Sequence, residues 1–117
     1  MTTFMTDMHN TMKEIRKQVK TLREQVINKV IDILVKNDKE IDLTDRTHTP
    51  YVDTKVGELC TLDRITYHCP EGYEGIKGAD NITIDLSNCE YNCTLTLEEL
   101  EWEYLIDIAI YLEENFS

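Results

Sequence analysis

The chain has 117 residues, 41% hydrophobic and 30% charged, a balance that suits one folded domain and excludes a chain disordered throughout. Its formal net charge of −11 argues against attraction to nucleic acid or to anionic membranes, both of which need basic surface, and suits either basic partners or solubility alone. No run reaches the ~18 apolar residues that a membrane crossing requires.

The opening stretch, MTTFMTDMHN, has no cation and no unbroken apolar core, so no secretory signal is expected and the cytoplasm is the expected address. In that reducing setting Cys60, Cys69, Cys89 and Cys93 are expected as thiols rather than bridges. The triplets Asn81-Ile82-Thr83 and Asn92-Cys93-Thr94 then read as chance matches to a glycosylation acceptor.

From about Thr6 to Lys36, apolar residues recur at Met8, Met12, Ile15, Val19, Leu22, Val26, Val30 and Ile33. Steps of three and four place them in one stripe, which predicts an amphipathic helix over 6–36. Up to Leu22 the stripe is narrow, like a coiled-coil seam, whereas Val26–Val35 (VINKVIDILV) is apolar nearly all round, like a core helix. The N-terminal part is therefore free to protrude. Met12, Ile15, Val19, Leu22 and Val26 are the candidate self-association residues, with a homodimer as the expected assembly.

Over 39–95 the pattern changes to short alternating runs: Ile41 and Leu43, then Leu62–His68, then Ile82, Ile84 and Leu86, then Tyr91, Cys93 and Leu95. Half-buried antiparallel strands have that period. Val56–Cys60 reads as a lead into the second run, and the Pro- and Gly-bearing stretches 47–50 and 70–75 read as turns.

Thr96-Leu97-Glu98-Glu99 has the form of a capping box and predicts a helix over 96–115. Leu97, Leu100, Tyr104, Leu105, Ile108, Leu112 and Phe116 make its apolar face, and Trp102, Ile106, Ala109 and Ile110 widen it beyond what one small sheet needs. Either the two helices pack together on the sheet or part of this surface is an interface. The expected fold is α+β: a long N-terminal helix, an antiparallel sheet of three to five short strands and a C-terminal helix, with both helices on one face of the sheet.

The order of a basic leading helix, Glu40-Ile41-Asp42-Leu43-Thr44, Gly57-Glu58-Leu59-Cys60-Thr61-Leu62 and Leu95-Thr96-Leu97-Glu98-Glu99-Leu100 before an aromatic helix resembles small uncharacterised proteins of gut Bacteroidetes, their phages and mobile elements. The resemblance covers about half the chain. It implies a phage or mobile-element setting and brings no catalytic residue with it.

Charge is unevenly divided. Up to Asn37 seven basic residues face four acidic ones, a net +3, while the remainder has five against 19, a net −14. Lys13, Arg16, Lys17, Lys20 and Arg23 form a cationic stripe beside the seam, read either as a solvated flank or as a surface that docks on the acidic half of another copy, on an acidic partner or on nucleic acid, the last disfavoured because phosphates repel the acidic body. Glu98, Glu99, Glu103, Asp107 and Glu114 are the candidate acidic partner-binding face of the last helix. Such a row is either a solvated surface, part of it suited to the helix dipole, or an array that imitates nucleic-acid phosphates to a basic protein.

Cys60, Cys69, Cys89 and Cys93, with His68, supply enough ligands for zinc, but only Cys89 and Cys93 are closely spaced, which argues against a zinc site. His68 beside Cys69 suggests an activated thiol, yet neighbours on a strand point to opposite faces. No phosphate loop, His-Glu zinc motif or Gly-x-Ser-x-Gly elbow is present. The expected protein is non-catalytic, takes no cofactor and binds protein rather than nucleic acid or membrane.

Overall fold

The computed structural model describes residues 3–53, 59–68 and 78–117. Helix α1 runs unbroken over Thr3–Lys36. Its C-terminal third is the buried part, with Ile27, Val30, Ile31, Ile33 and Leu34 all in the core, as the all-round apolar run 26–35 requires. The helix ends where Asp38 and Lys39 adopt left-handed backbone (φ 61 and 67) and the Lys39 N–H turns back to the Leu34 carbonyl at 2.6 Å. Non-glycine residues rarely take that conformation, and here it satisfies a helix-end carbonyl.

Strands β1 (Glu40–Asp42) and β2 (Tyr51–Asp53) lie along the same edge of β3 (Leu59–Tyr67), followed by β4 (Ile82–Ser87) and β5 (Asn92–Thr96). All pairings are antiparallel. In β3 the register shifts between Leu62 and Arg64, making Asp63 an extra residue whose carbonyl accepts the Leu43 N–H at 2.7 Å. That bulge resets the alternation, so Cys60 and Leu62 before it and Ile65 and Tyr67 after it all reach the same buried layer. Val52, Ile82, Ile84 and Leu86 join them.

The opposite sheet face is polar, and the register orders it into rows. Glu40, Thr66, Thr83 and Thr96 form one row, and Asp42, Arg64, Asp85 and Thr94 the next. Arg64 Nε lies 3.3 Å from a Glu40 carboxylate oxygen, aligned as an ion pair rather than a hydrogen bond. The Asp42 carboxylate accepts the Thr44 hydroxyl and N–H at 2.6 and 2.9 Å, and those bonds hold its pKa below the usual aspartate value.

The final helix differs from the sequence expectation. Thr96 and Glu99 do form the capping box, with the Thr96 N–H donating to the Glu99 carboxylate at 2.9 Å, but the turn they cap is a 3₁₀ turn, Leu97–Glu99. Leu100 is extended (φ −81, ψ 142), and helix α2 begins only at Trp102 and runs to Phe116. The predicted helix over 96–115 is thus two elements. Arg23 sits at the break: its guanidinium donates to the Leu97 and Leu100 carbonyls at 3.1 and 3.0 Å.

Helices α1 and α2 pack side by side and parallel on the sheet. Arg23 marks the start of the contact, and Asn37, whose amide bonds the Ile33 and Phe116 carbonyls at 2.7 and 3.1 Å, marks its end. Leu105, Ile108 and Leu112 of α2 complete the core. Ile84 is fully buried at the centre of this layer; Ile84→Ala is expected to lower unfolding stability by about 2–5 kcal/mol, read as a reduced midpoint in urea.

Candidate interaction surface

The feature that stands out is the N-terminal part of α1. Residues 3–22 are all exposed, and burial begins only at Arg23. Met8, Met12, Ile15, Val19 and Leu22 are each 47–52% exposed, and Phe4 and Met5 about 70%. A radius of gyration of 17.0 Å, against the ~13 Å of a compact chain of this length, reflects the projecting arm.

Along the arm the apolar positions 5, 8, 12, 15, 19, 22 and 26 alternate in steps of three and four without interruption. This is the heptad of a helix-to-helix seam, with Met5, Met12, Val19 and Val26 as one set and Met8, Ile15 and Leu22 as the other. Of the five predicted seam residues, Met12, Ile15, Val19 and Leu22 are exposed together on one stripe, while Val26 is half-buried and packs partly against the core. Val26 is where the seam meets the body.

At that junction lies a groove of about 360 Å³ between the helices. Leu22 and Val26 form one wall, Ile106, Ala109 and Ile110 the other, with Glu113 and Glu114 at the rim. Ile110 is half exposed and borders a second groove on the far side of α2, which also holds Tyr51, Leu59, Tyr104 and Tyr111.

The predicted acidic face is exposed at Glu98, Glu99, Glu103, Asp107 and Glu114. Glu99 is occupied by the capping box, whereas Glu103, Asp107 and Glu114 fall on one side of α2. Asp53 of β2 adds to their field: the Tyr104 phenol is pushed up chiefly by burial and further by the charges of Asp53, Glu103, Glu101 and Asp107. Of the basic stripe, Lys13, Arg16, Lys17 and Lys20 lie on the arm, but Arg23 is committed to the carbonyls before α2. That internal role has no sequence signal, because an arginine at helical spacing with other cations looks like one more flank residue.

Of the candidate zinc ligands, Cys60 and Cys93 are neighbours. Cys60 is buried, Cys89 exposed and Cys93 intermediate, Cys69 lies outside the described residues, and no cluster of three His, Cys, Asp or Glu suited to a metal occurs among the described residues. His68 meets the Thr83 hydroxyl at 2.8 Å. No helix among the described residues is long and apolar enough to cross a membrane.

Comparison of the chain with protein-family models, with the curated proteins and with the solved structures yields no match.

Burial, and then the neighbouring Cys60, push the Cys93 thiol up. A raised pKa means less thiolate at a given pH, so near pH 8 Cys93 is expected to alkylate more slowly than exposed Cys89. Peptide mapping after timed iodoacetamide treatment checks this; equal rates contradict it.

Proposed function

We propose that this chain is a non-catalytic binding protein that self-associates through the arm of α1. The observation that carries the reading is the unbroken heptad of half-exposed apolar side chains from Met8 to Leu22 on a helix segment with no core of its own to pack against. An isolated helix gains little stability from propensity, and a seam of this kind is ordinarily covered by another helix.

Magnitudes limit what the seam achieves alone. Fully burying a large aliphatic side chain contributes about 1.5–3 kcal/mol, so half-exposed ones contribute about 1 kcal/mol each. Two copies gain roughly 10 kcal/mol gross, set against an association cost of about 4–15 kcal/mol. The seam by itself supports a weak dimer, and apolar surface next to it decides the affinity.

Light scattering during size-exclusion chromatography is expected to give twice the 13.7 kDa chain mass at tens of micromolar protein. Leu22→Asp is expected to return a folded monomer, because Leu22 lies outside the core. A wild-type chain monomeric at every concentration contradicts the reading.

A second reading draws on the exposed side of α2. Glu103, Asp107 and Glu114 share one stripe, joined by Asp53, and so present a row of carboxylates to a basic protein. In the phage or mobile-element setting that the resemblance implies, this is an acidic decoy occupying the nucleic-acid site of a host protein. Its expected mark is binding to a basic host protein that falls steeply with salt and is lost when Glu103, Asp107 and Glu114 are changed to Lys.

A further inference from the structure

The arm from Phe4 to Leu22 exposes an apolar stripe, and at its base Ile106, Ala109 and Ile110 expose the wall of the α1–α2 groove. Lys13, Arg16, Lys17 and Lys20 sit midway along the arm, its tip holds Asp7 and no Lys or Arg, and Lys29 lines the groove together with Glu113 and Glu114. We infer that two copies of this chain lie antiparallel along their arms, each seating Phe4, Met5 and Met8 in the α1–α2 groove of the other. This rests on the self-association proposed above and adds its direction and its receiving site.

The heptad sets the register. In an antiparallel helix pair the two sets of seam positions face each other, so Ile15 meets Val19 of the other copy, Met12 meets Leu22 and Met8 meets Val26. One turn further on, Met5 falls level with Lys29, and Phe4 lies beside it. That is the stretch where the groove gains its second wall from α2, with Lys29 itself among the lining residues. The most exposed apolar residues of the arm therefore arrive where apolar surface awaits a cover.

The parallel alternative fails on charge and on coverage. It sets the two acidic α2 helices level with each other, and like charges brought together oppose association. It also leaves the groove wall of Ile106, Ala109 and Ile110 without a cover. The antiparallel arrangement places the two acidic α2 helices at opposite ends of the pair and covers both apolar surfaces.

The test places a photocrosslinker at the arm tip of the full chain, Phe4→p-benzoylphenylalanine. Residue 4 lies about 28 Å along the helix from Arg23, where α2 starts, so a bond from it to α2 forms only between copies. Irradiation followed by peptide mapping is expected to give a covalent dimer joined to the segment containing Ile106 and Ile110. A crosslink to the N-terminal segment of the other copy instead marks a parallel pair and overturns the exchange while leaving self-association standing. Ile110→Asp, at a half-exposed position outside the core, is expected to weaken dimerisation at least tenfold with an unchanged circular dichroism spectrum. An unchanged dissociation constant overturns the groove as the receiving site, and a chain that never dimerises overturns both proposals.

Discussion

One helix serves two environments. The stretch Ile27–Leu34 is locked into the core between the sheet and α2, and because α1 is continuous through it, residues 3–22 are carried rigidly into solvent. No Pro or Gly interrupts the helix to fold the arm back. The arm's direction follows from the packing of a segment it does not itself touch. The pairing of α1 with α2, the groove between them and the exposure of the seam all follow from where that core segment sits.

The separation of charge follows the same architecture. Lys13, Arg16, Lys17 and Lys20 ride on the part of α1 that leaves the body, and α2, which stays with the body, holds Glu103, Asp107, Glu113 and Glu114 and no cation. Helices packed side by side at close quarters do not tolerate large like charges along their contact, and the contact here is made by aliphatic side chains with Asn37 and Arg23 at its two ends. The electrostatic asymmetry is left for surfaces facing outward, where it favours basic against acidic.

Much of this was legible in the sequence where burial has a period. The narrowing of the apolar stripe before Leu22 and its broadening over 26–35 foretold which part of α1 projects, and the alternation at Ile82, Ile84 and Leu86 foretold β4. What stayed illegible was set by tertiary partners. Strand β2 has three residues with only Val52 buried, too short to show alternation, and it exists by pairing with β3. The bulge at Asp63 leaves no mark beyond an ordinary charged residue. The break at Leu100 was hidden because Leu97, Leu100 and Tyr104 keep helical spacing; the carbonyls at the break are bonded by a side chain more than 70 positions earlier. The groove, likewise, depends on Ile106 and Ile110 lying across from Leu22 and Val26, a proximity only the packing creates.

Arg23 also acts at the point where the arm leaves the body. Its guanidinium grips the backbone at Leu97 and Leu100, so it pins the rotation of α1 about its own axis at the last place where the helix is held. Beyond that fulcrum lies a lever of about 30 Å, for which a tilt of roughly 10° sweeps the tip through about 5 Å, the width of one helical turn. Loosening that single clasp would leave every seam residue in place on the helix and still blur where the seam points. The bearing of the arm, as distinct from its composition, rests on the buried segment 27–34 together with the Arg23 clasp at its base.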